Sequence, residues 1–231
     1  MTTTFSGFPE ELFDFLRDLR GNNNRDWFNA NKERYREVVV NPVSDFIGAM
    51  APKLEKISKH YIADPRANGG SMFRIYRDTR FAKDKRPYKT NVGCQFRHQA
   101  GKDAHAPGFY VHLEPDHIFF GGGVWTPPGP VLSKVREAIV EKPDEWQRIV
   151  KNKTFKTRFG ELKGDRLKRP PRGFDADHPL LEDLKCKSFI VMQEEFEPLA
   201  TNKDFTREVE RAFKAASPLM AFVTKALELP Y

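Results

Sequence analysis

Residues 109–120, FYVHLEPDHIFF, decide the fold of this chain. Apolar and polar side chains alternate over the first half of the stretch, and this period of two is typical of a β-strand with one buried face. The apolar positions are Phe109, Val111 and Leu113, and the polar positions are Tyr110, His112 and Glu114. A second strand is predicted over 117–120, after a turn at Pro115 and Asp116. The stretch therefore predicts an antiparallel hairpin whose polar face is available to line a cavity.

Three more strands are predicted, over 72–77, 91–98 and 188–192. We expect the first two of these to join the hairpin in a four-stranded antiparallel sheet. Apolar residues at helical spacing predict helices before the strands and in the last third of the chain. The sequence thus predicts an α+β fold, a single domain over residues 1–231, with a central, mostly antiparallel sheet flanked by N-terminal and C-terminal helices.

Proline marks several of the predicted helix boundaries. Asn41-Pro42 is expected to cap a helix, Pro52 to kink or divide that helix, and Ser217-Pro218 to open the second of two C-terminal helices. Glycine and proline between 160 and 173 predict loops, and at most a short hairpin, for the stretch 151–172.

The net charge of +7 is unevenly distributed. Residues 74–89 hold seven basic and two acidic side chains, residues 151–172 hold nine and two, and the rest of the chain is net acidic. Such local basicity favours a defined anion-binding surface. The sequence has neither a membrane-length apolar run nor a secretion signal, so we expect a cytoplasmic protein without a membrane partner. Cys94 and Cys186 lack metal-type spacing and are expected to be reduced, half-buried thiols.

The main site candidate is Arg74–Lys89, called the basic segment below. Guanidinium and ammonium groups suit an oxyanion held at several oxygens. The predicted ligand-binding cations are Arg74, Arg77, Arg80, Lys83, Lys85 and Lys89. Asp78 and Asp84 are expected to hold the arginines in place, or else to bind Mg²⁺ or act as a general base, although no sequence motif supports Mg²⁺. The alternative is a solvated loop whose charges pair with one another.

Residues outside the cations complete the predicted site. The candidate catalytic residues are Asp78, Asp84, Tyr88 and His112, with Tyr88 or His112 as the proton-transfer group. Three more candidate ligand contacts are Trp27, Tyr110 and Gly122.

For two of these contacts the sequence leaves a structural role open. Trp27 either stacks against a bound ligand or packs as part of the hydrophobic core. The Gly121–Gly123 triplet either lets backbone N–H groups come close to a phosphate or forms a bulged strand end.

The histidines give no metal prediction. The spacing of His112, Glu114 and His117 matches no known metal motif, so no metal site is predicted. His98 and His105 are expected to be exposed.

Several of these stretches together resemble a known family. They are the Phe8–Leu19 helix, Asn22–Phe28, the basic segment, Gly108–Tyr110, Gly121–Gly123 before Trp125, and Leu167–Phe174. Over nearly its whole length the chain resembles the family called the domain of unknown function numbered 2461. The resemblance implies a single domain and singles out these positions, but it implies no substrate, cofactor or mechanism.

The sequence supports three functional hypotheses. The first is a pocket between the basic segment and the polar sheet face that binds a phosphate-bearing or other anionic small molecule, with phosphoryl or hydrolytic chemistry as an option. The second is a nucleic-acid-binding module that uses both basic stretches as one stripe. The third is a non-enzymatic interaction domain whose basic segment docks an acidic partner.

Overall fold

The computed structural model describes residues 5–101 and 106–231. The helices are α1 (Glu10–Gly21), α2 (Arg25–Ala30), α3 (Lys32–Tyr35), α4 (Asn41–Glu55), α5 (Gly129–Glu141), α6 (Pro143–Val150), α7 (Lys153–Phe159), α8 (Leu181–Leu184) and α9 (Phe205–Ala226). A π-helical segment, Arg36–Val40, joins α3 to α4, and a short 3-10 helix spans Glu197–Leu199. The strands are β1 (Val92–Arg97), β2 (Gly108–Glu114), β3 (His117–Val124) and β4 (Phe189–Glu195).

The four strands form one antiparallel sheet in the order β1-β2-β3-β4. The predicted hairpin is confirmed, since β2 and β3 pair from Glu114 opposite His117 onward, and Asp116 takes a positive φ of 70° in the turn. Helices precede and follow the sheet along the chain. The α+β fold with flanking N-terminal and C-terminal helices is therefore confirmed.

The sheet has one face covered by helix α9 and one open face. Phe109, Val111 and Leu113 point to the covered face and are fully buried, with the ring of Phe109 stacked 4.6 Å from that of Phe213 on α9. The alternate residues of β2 are only half-buried. The predicted division of this strand into an apolar and a polar face is correct, because α9 covers only one side of the pleat.

The prediction of a strand over 72–77 is wrong. Ser71–Phe73 runs along β1 with an isolated bridge at Met72, and the chain then leaves the sheet, so β4 is the fourth strand. Gly121–Gly123 also departs from the prediction, because the triplet lies inside β3 and pairs with strands on both sides. In both cases, hydrogen bonds between segments far apart in the sequence set the position of the residues.

The predictions at proline are only partly correct. Helix α4 begins at Asn41 with Pro42 in its first turn, as predicted, but Asn41 has helical backbone angles and continues the preceding π-helical segment instead of capping α4. Pro52 does not divide α4, which runs through it to Glu55, and no new helix opens at Pro218, because α9 runs unbroken through it. A proline removes one backbone hydrogen bond from a helix interior. Burial of one face of a long helix such as α9 outweighs that loss.

The structure also corrects the predictions for the second basic stretch and for three buried side chains. Helix α7 occupies 153–159, where loops were predicted, because Phe155 and Phe159 are buried one helical turn apart. His98 is fully buried, with Nε2 lying 2.8 Å from the carbonyl oxygen of Pro230. Both cysteines are unpaired thiols, but they are buried rather than half-buried. The prediction for His105 lies outside the described residues.

Candidate functional site

A cavity of about 400 Å³ lies on the open face of the sheet. Its volume is within the range of small-molecule sites, and its lining is mainly apolar, which is also typical of such sites. Side chains from β1, β2, β3, β4 and the chain around them form the walls. They are Phe73, Gln95, Tyr110, Phe119, Trp125, Ile190 and Met192.

Glycines in β2 and β3 leave the floor of the cavity bare. A Cβ atom at Gly121 would lie 1.9 Å from the carbonyl oxygen of Val191, and one at Gly123 would lie 2.0 Å from that of Phe189. Any larger residue would therefore force β3 away from β4. Gly123 also has a φ of 144°, which side chains rarely adopt. Close strand pairing thus explains Gly121 and Gly123 and opens the space above them, whereas a Cβ atom at Gly122 would meet Met220 and Phe109 (both 2.9 Å) on the covered face.

A chain of polar groups runs from the cavity along β2. The phenol oxygen of Tyr110, which lines the cavity, lies 3.2 Å from His112 Nδ1, and His112 Nε2 lies 3.3 Å from Glu114 Oε2. The other oxygen of Glu114 accepts a hydrogen bond from Arg20 on α1 (3.4 Å). Alternate residues of one strand share a face, so β2 itself sets this order.

The environment shifts the pKa values in this chain. Burial lowers the pKa of His112 below its usual range, and the Glu114 carboxylate partly opposes that shift. The His112 ring also stacks on Phe119, with ring centres 4.5 Å apart. Burial raises the pKa of Tyr110. Both effects favour the neutral forms of the phenol and the imidazole at neutral pH.

The base of the basic segment is anchored to the N-terminal helices. The ring of Tyr88 stacks on Phe28 with centres 4.1 Å apart, and the Asn23 side chain exchanges two hydrogen bonds with the backbone of Tyr88. Backbone bonds from Arg77 to Pro87 and from Lys89 to Ile75 pair the two arms of the segment. The segment therefore folds back on itself beside β1.

The tip of the segment pairs most of its own charges. Asp84 accepts hydrogen bonds from Arg77 (2.9 Å) and Arg86 (2.7 Å), and Asp78 accepts from Arg80 (2.7 Å). These guanidinium groups lower the pKa of Asp78 to about 2 and that of Asp84 still further. A carboxylate with so low a pKa is a poor general base at neutral pH.

One cation of the segment, Lys89, lies close to the cavity. Lys89 Nζ sits 5.4 Å from the centre of the Phe73 ring, which forms one wall, and donates to the carbonyl oxygen of Arg74 (2.8 Å). Burial and the charge of Arg74 lower the pKa of Lys89. The ammonium group of Lys89 thus lies beside a mainly apolar cavity under the repulsion of a like charge, Arg74.

The other predicted site residues lie in different places. Tyr110 and Gly122 line the cavity, and His112 contacts Tyr110. Tyr88 is buried against the N-terminal helices, and burial raises its pKa. The ring of Trp27 packs against that of Phe15, with ring centres 5.6 Å apart. The remaining cations are in the self-paired tip, where Lys85 donates to the carbonyl oxygen of Thr79 (3.0 Å) and Lys83 is exposed.

Several cavity residues were not predicted from the sequence. Phe119 follows the period of two and shares the open face with Tyr110 and His112, so its position could have been inferred. Phe73, Trp125 and Met192 carried no such signal, because they reach the cavity from segments far apart in the chain.

The second basic stretch approaches the sheet from the opposite edge. Lys163 bridges to Ile190 on β4, and Arg158 donates to Gln193 (2.9 Å), whereas the basic segment follows the chain beside β1. The whole width of the sheet therefore separates the two basic stretches.

A second depression lies between α6, α7 and α9 and contains Arg211 and Lys214. Both side chains pair with glutamates of their own helix, and Arg148, which also lines the depression, donates to the carbonyl oxygen of Asp144 (3.3 Å).

No three His, Cys, Asp or Glu side chains within residues 5–101 and 106–231 are arranged to hold a metal ion. Among the helices of the same residues, none is both long enough and apolar enough to cross a membrane.

Fold and site together define an α+β protein with a ligand-sized cavity on the exposed face of an antiparallel sheet. The chain belongs to the family DUF2461, described as a conserved hypothetical protein, whose model matches residues 11–222. Neither the curated proteins nor the solved structures gave a match to the chain.

Proposed function

We propose that the open-face cavity binds a small organic anion with a flat apolar body. The observation that carries this proposal is the position of Lys89 beside the Phe73 wall of a mainly apolar cavity, where burial and the like charge of Arg74 lower the pKa of Lys89. Aromatic walls suit a flat body, and the ammonium group of Lys89 suits a carboxylate or phosphate at its edge. A bound anion would also offset the repulsion between the two like charges.

A matched set of variants tests this proposal by thermal shift. 2-Naphthoate and phenyl phosphate are the probes, and a ligand at about 100 times its dissociation constant stabilises the folded state by about 2.7 kcal/mol. We expect Lys89→Gln to weaken binding about tenfold, in line with the loss of one charge-assisted hydrogen bond. Met192→Trp, which fills the cavity, should abolish binding.

The control for charge alone is Lys83→Gln, which removes one positive charge from the exposed tip of the same segment. Binding should survive this change. Equal losses in Lys83→Gln and Lys89→Gln would mean that the probes respond to overall charge, and that result would sink the proposal.

Turnover of the bound molecule, by phosphoryl transfer or hydrolysis, would need a proton-transfer group at the cavity. Tyr110, backed by His112, is the group in that place. A cytoplasmic location is also part of the proposal, and its support is the presence of two unpaired, buried thiols.

An acidic protein partner is a second candidate function, favoured by Phe81 at the tip of the basic segment. Its side chain is 94% exposed, and the Arg80 guanidinium lies 5.9 Å from its ring. A fully exposed aromatic side chain among cations is typical of an interaction anchor. Peptides selected from a random library should be acidic and lose binding to Phe81→Ala. Selected peptides that bind Phe81→Ala as well as wild type would contradict this candidate.

The nucleic-acid hypothesis remains an alternative. A strand of RNA or DNA that touched both basic stretches would have to cross the open face, which spans about 14 Å between its outer strands. Oligonucleotides in the same thermal-shift experiment test this reading. Stabilisation by oligonucleotides alone, lost at high salt, would replace the small-molecule proposal.

A further inference from the structure

The direction of the hydrogen bonds along β2 follows from which groups can donate. A carboxylate only accepts, so the contact between Glu114 and His112 places the proton of the imidazole on Nε2. In a neutral imidazole the other nitrogen then accepts. The hydroxyl of Tyr110 must therefore donate its proton to His112 Nδ1.

This order leaves the Tyr110 oxygen as a hydrogen-bond acceptor. The oxygen lies over Gly93 of β1, where a Cβ atom would meet it at 2.5 Å, beside the Phe73 wall of the cavity. A phenol has one proton, and here His112 takes it, while the lone pairs of the oxygen remain. Tyr110 lines the cavity and packs near Phe73 and Phe119, with ring centres 6.2 Å and 5.7 Å away. A group of the bound molecule that meets this oxygen at close range must be a donor, because two acceptors would repel each other.

We propose that the cavity selects an aromatic acid that carries a hydroxyl or amino group, with the acid held by Lys89 and the donor bonded to Tyr110. This inference rests on the proposed function and specifies the substrate class of the same site. It differs from an anion-only site in one respect: the oxygen of Tyr110 recognises a donor, so a simple anion leaves it unpaired.

The tautomer of His112 tests the hydrogen-bond order without any ligand. Long-range ¹H–¹⁵N spectra of the labelled protein at neutral pH should show an unprotonated Nδ1 and a protonated Nε2, and the loss of that signal in His112→Phe assigns it. A protonated Nδ1 in the neutral ring would reverse the chain of hydrogen bonds and overturn the proposal.

Three naphthoates test the selection itself. We expect 6-hydroxy-2-naphthoate to bind about tenfold more tightly than 2-naphthoate and 6-methoxy-2-naphthoate, because only its hydroxyl can donate a hydrogen bond to Tyr110; tenfold corresponds to about 1.4 kcal/mol. Tyr110→Phe should remove this preference and keep the weaker affinity for 2-naphthoate. Titration calorimetry of both proteins gives the six constants.

The outcomes separate this inference from the proposed function. Equal binding of all three naphthoates to wild type would overturn the donor selection and leave the anion cavity standing. No binding of any of them would overturn the proposed function and the selection together. A preference that persists in Tyr110→Phe would assign the acceptor to another residue and would also overturn the inference.

Discussion

At the scale of single residues, the position of the basic segment depends on Asn23 and Tyr88 rather than on the charges at its tip. The Arg80–Asp78 and Arg86–Asp84 ion pairs are exposed, and exposed ion pairs stabilise a fold little. Tyr88 is buried against Phe28, and both backbone polar groups of Tyr88 bond to Asn23. Aromatic burial and two specific hydrogen bonds therefore hold the segment beside the cavity.

Asn23→Ala should lower the free energy of unfolding by about 1–3 kcal/mol, because it removes two hydrogen bonds and leaves partly buried backbone groups without them. Urea denaturation measures this change. Asn22→Ala is the control, since the exposed Asn22 side chain bonds only to the carbonyl oxygen of Asp18 in its own helix. A loss no larger in Asn23→Ala than in Asn22→Ala would contradict the anchoring role.

The titration of His112 is a second prediction at this scale. The titratable and charged groups that face it are Tyr110 and Glu114 on β2, His117 on β3 and, through Glu114, Arg20 on α1, while Gly93 faces it on β1. Burial dominates, so an NMR titration should give a pKa below 6.5, and Glu114→Gln should lower it further because Glu114 raises it.

The sign of the accompanying stability change follows from linkage. Below about pH 6.5 the unfolded chain binds the proton of this histidine more readily than the folded chain does, so the folded state loses stability as the pH falls through that range. His112→Phe should lose less over the same interval. A His112 pKa at or above 6.5 would contradict the burial argument.

At the scale of elements, α9 shows that packing outweighs a local helix-stop signal. Pro218 is exposed in the middle of the helix, while Ala216, Leu219 and Met220 around it are fully buried. The proline ring removes a hydrogen bond to the carbonyl oxygen of Lys214. Burial of one side of α9 against the sheet keeps the helix continuous at this cost.

Pro218→Ala should therefore raise the free energy of unfolding by about 1–3 kcal/mol, because an interior proline costs roughly 3 kcal/mol relative to alanine. Thermal or urea denaturation measures the gain. Pro143→Ala is the matched control, since Pro143 is the first residue of α6, where the missing N–H has no helical partner. A loss of stability in Pro218→Ala would show that the proline shapes the helix.

At the scale of the whole molecule, the covered face of the sheet and the helices form one core. Cys94 lies in that core on β1 with no exposed surface, and burial raises the pKa of its thiol to about 12. Cys186 is also buried, and burial raises its pKa as well. Reaction of Cys94 therefore requires the core to open.

We expect a thiol reagent at pH 8 to leave Cys94 unmodified in the native protein and to label it in denaturant, because the thiolate is the reactive form and burial suppresses it. Cys186→Ser isolates the reaction of Cys94, and its rate should follow global unfolding. Rapid labelling of Cys94 in native conditions would mean that β1 opens independently of the rest of the core.

The sequence by itself determined the α+β class, the β2–β3 hairpin and its two faces. These features depend on the alternation of residues 109–114 and on a short turn, which are local properties of the chain. The density of charge in the basic segment was equally visible. The sequence also predicted that Asp78 and Asp84 pair with arginines of the segment, and the structure confirms it. The sequence did not reveal that Asp84 takes Arg77 and Arg86 together, because that contact depends on how the segment folds back.

Only the tertiary structure decided the fourth strand, the continuity of α9 and the cavity. Each of these depends on contacts between residues far apart in the chain: β4 pairs with β3 across some 70 residues, and Phe73, Trp125 and Met192 meet above glycines of β3. The local pattern of apolar and polar residues carries no information about such contacts. Burial and backbone pairing act between residues that are distant in the sequence, and they place Lys89 and Tyr110 beside the same cavity.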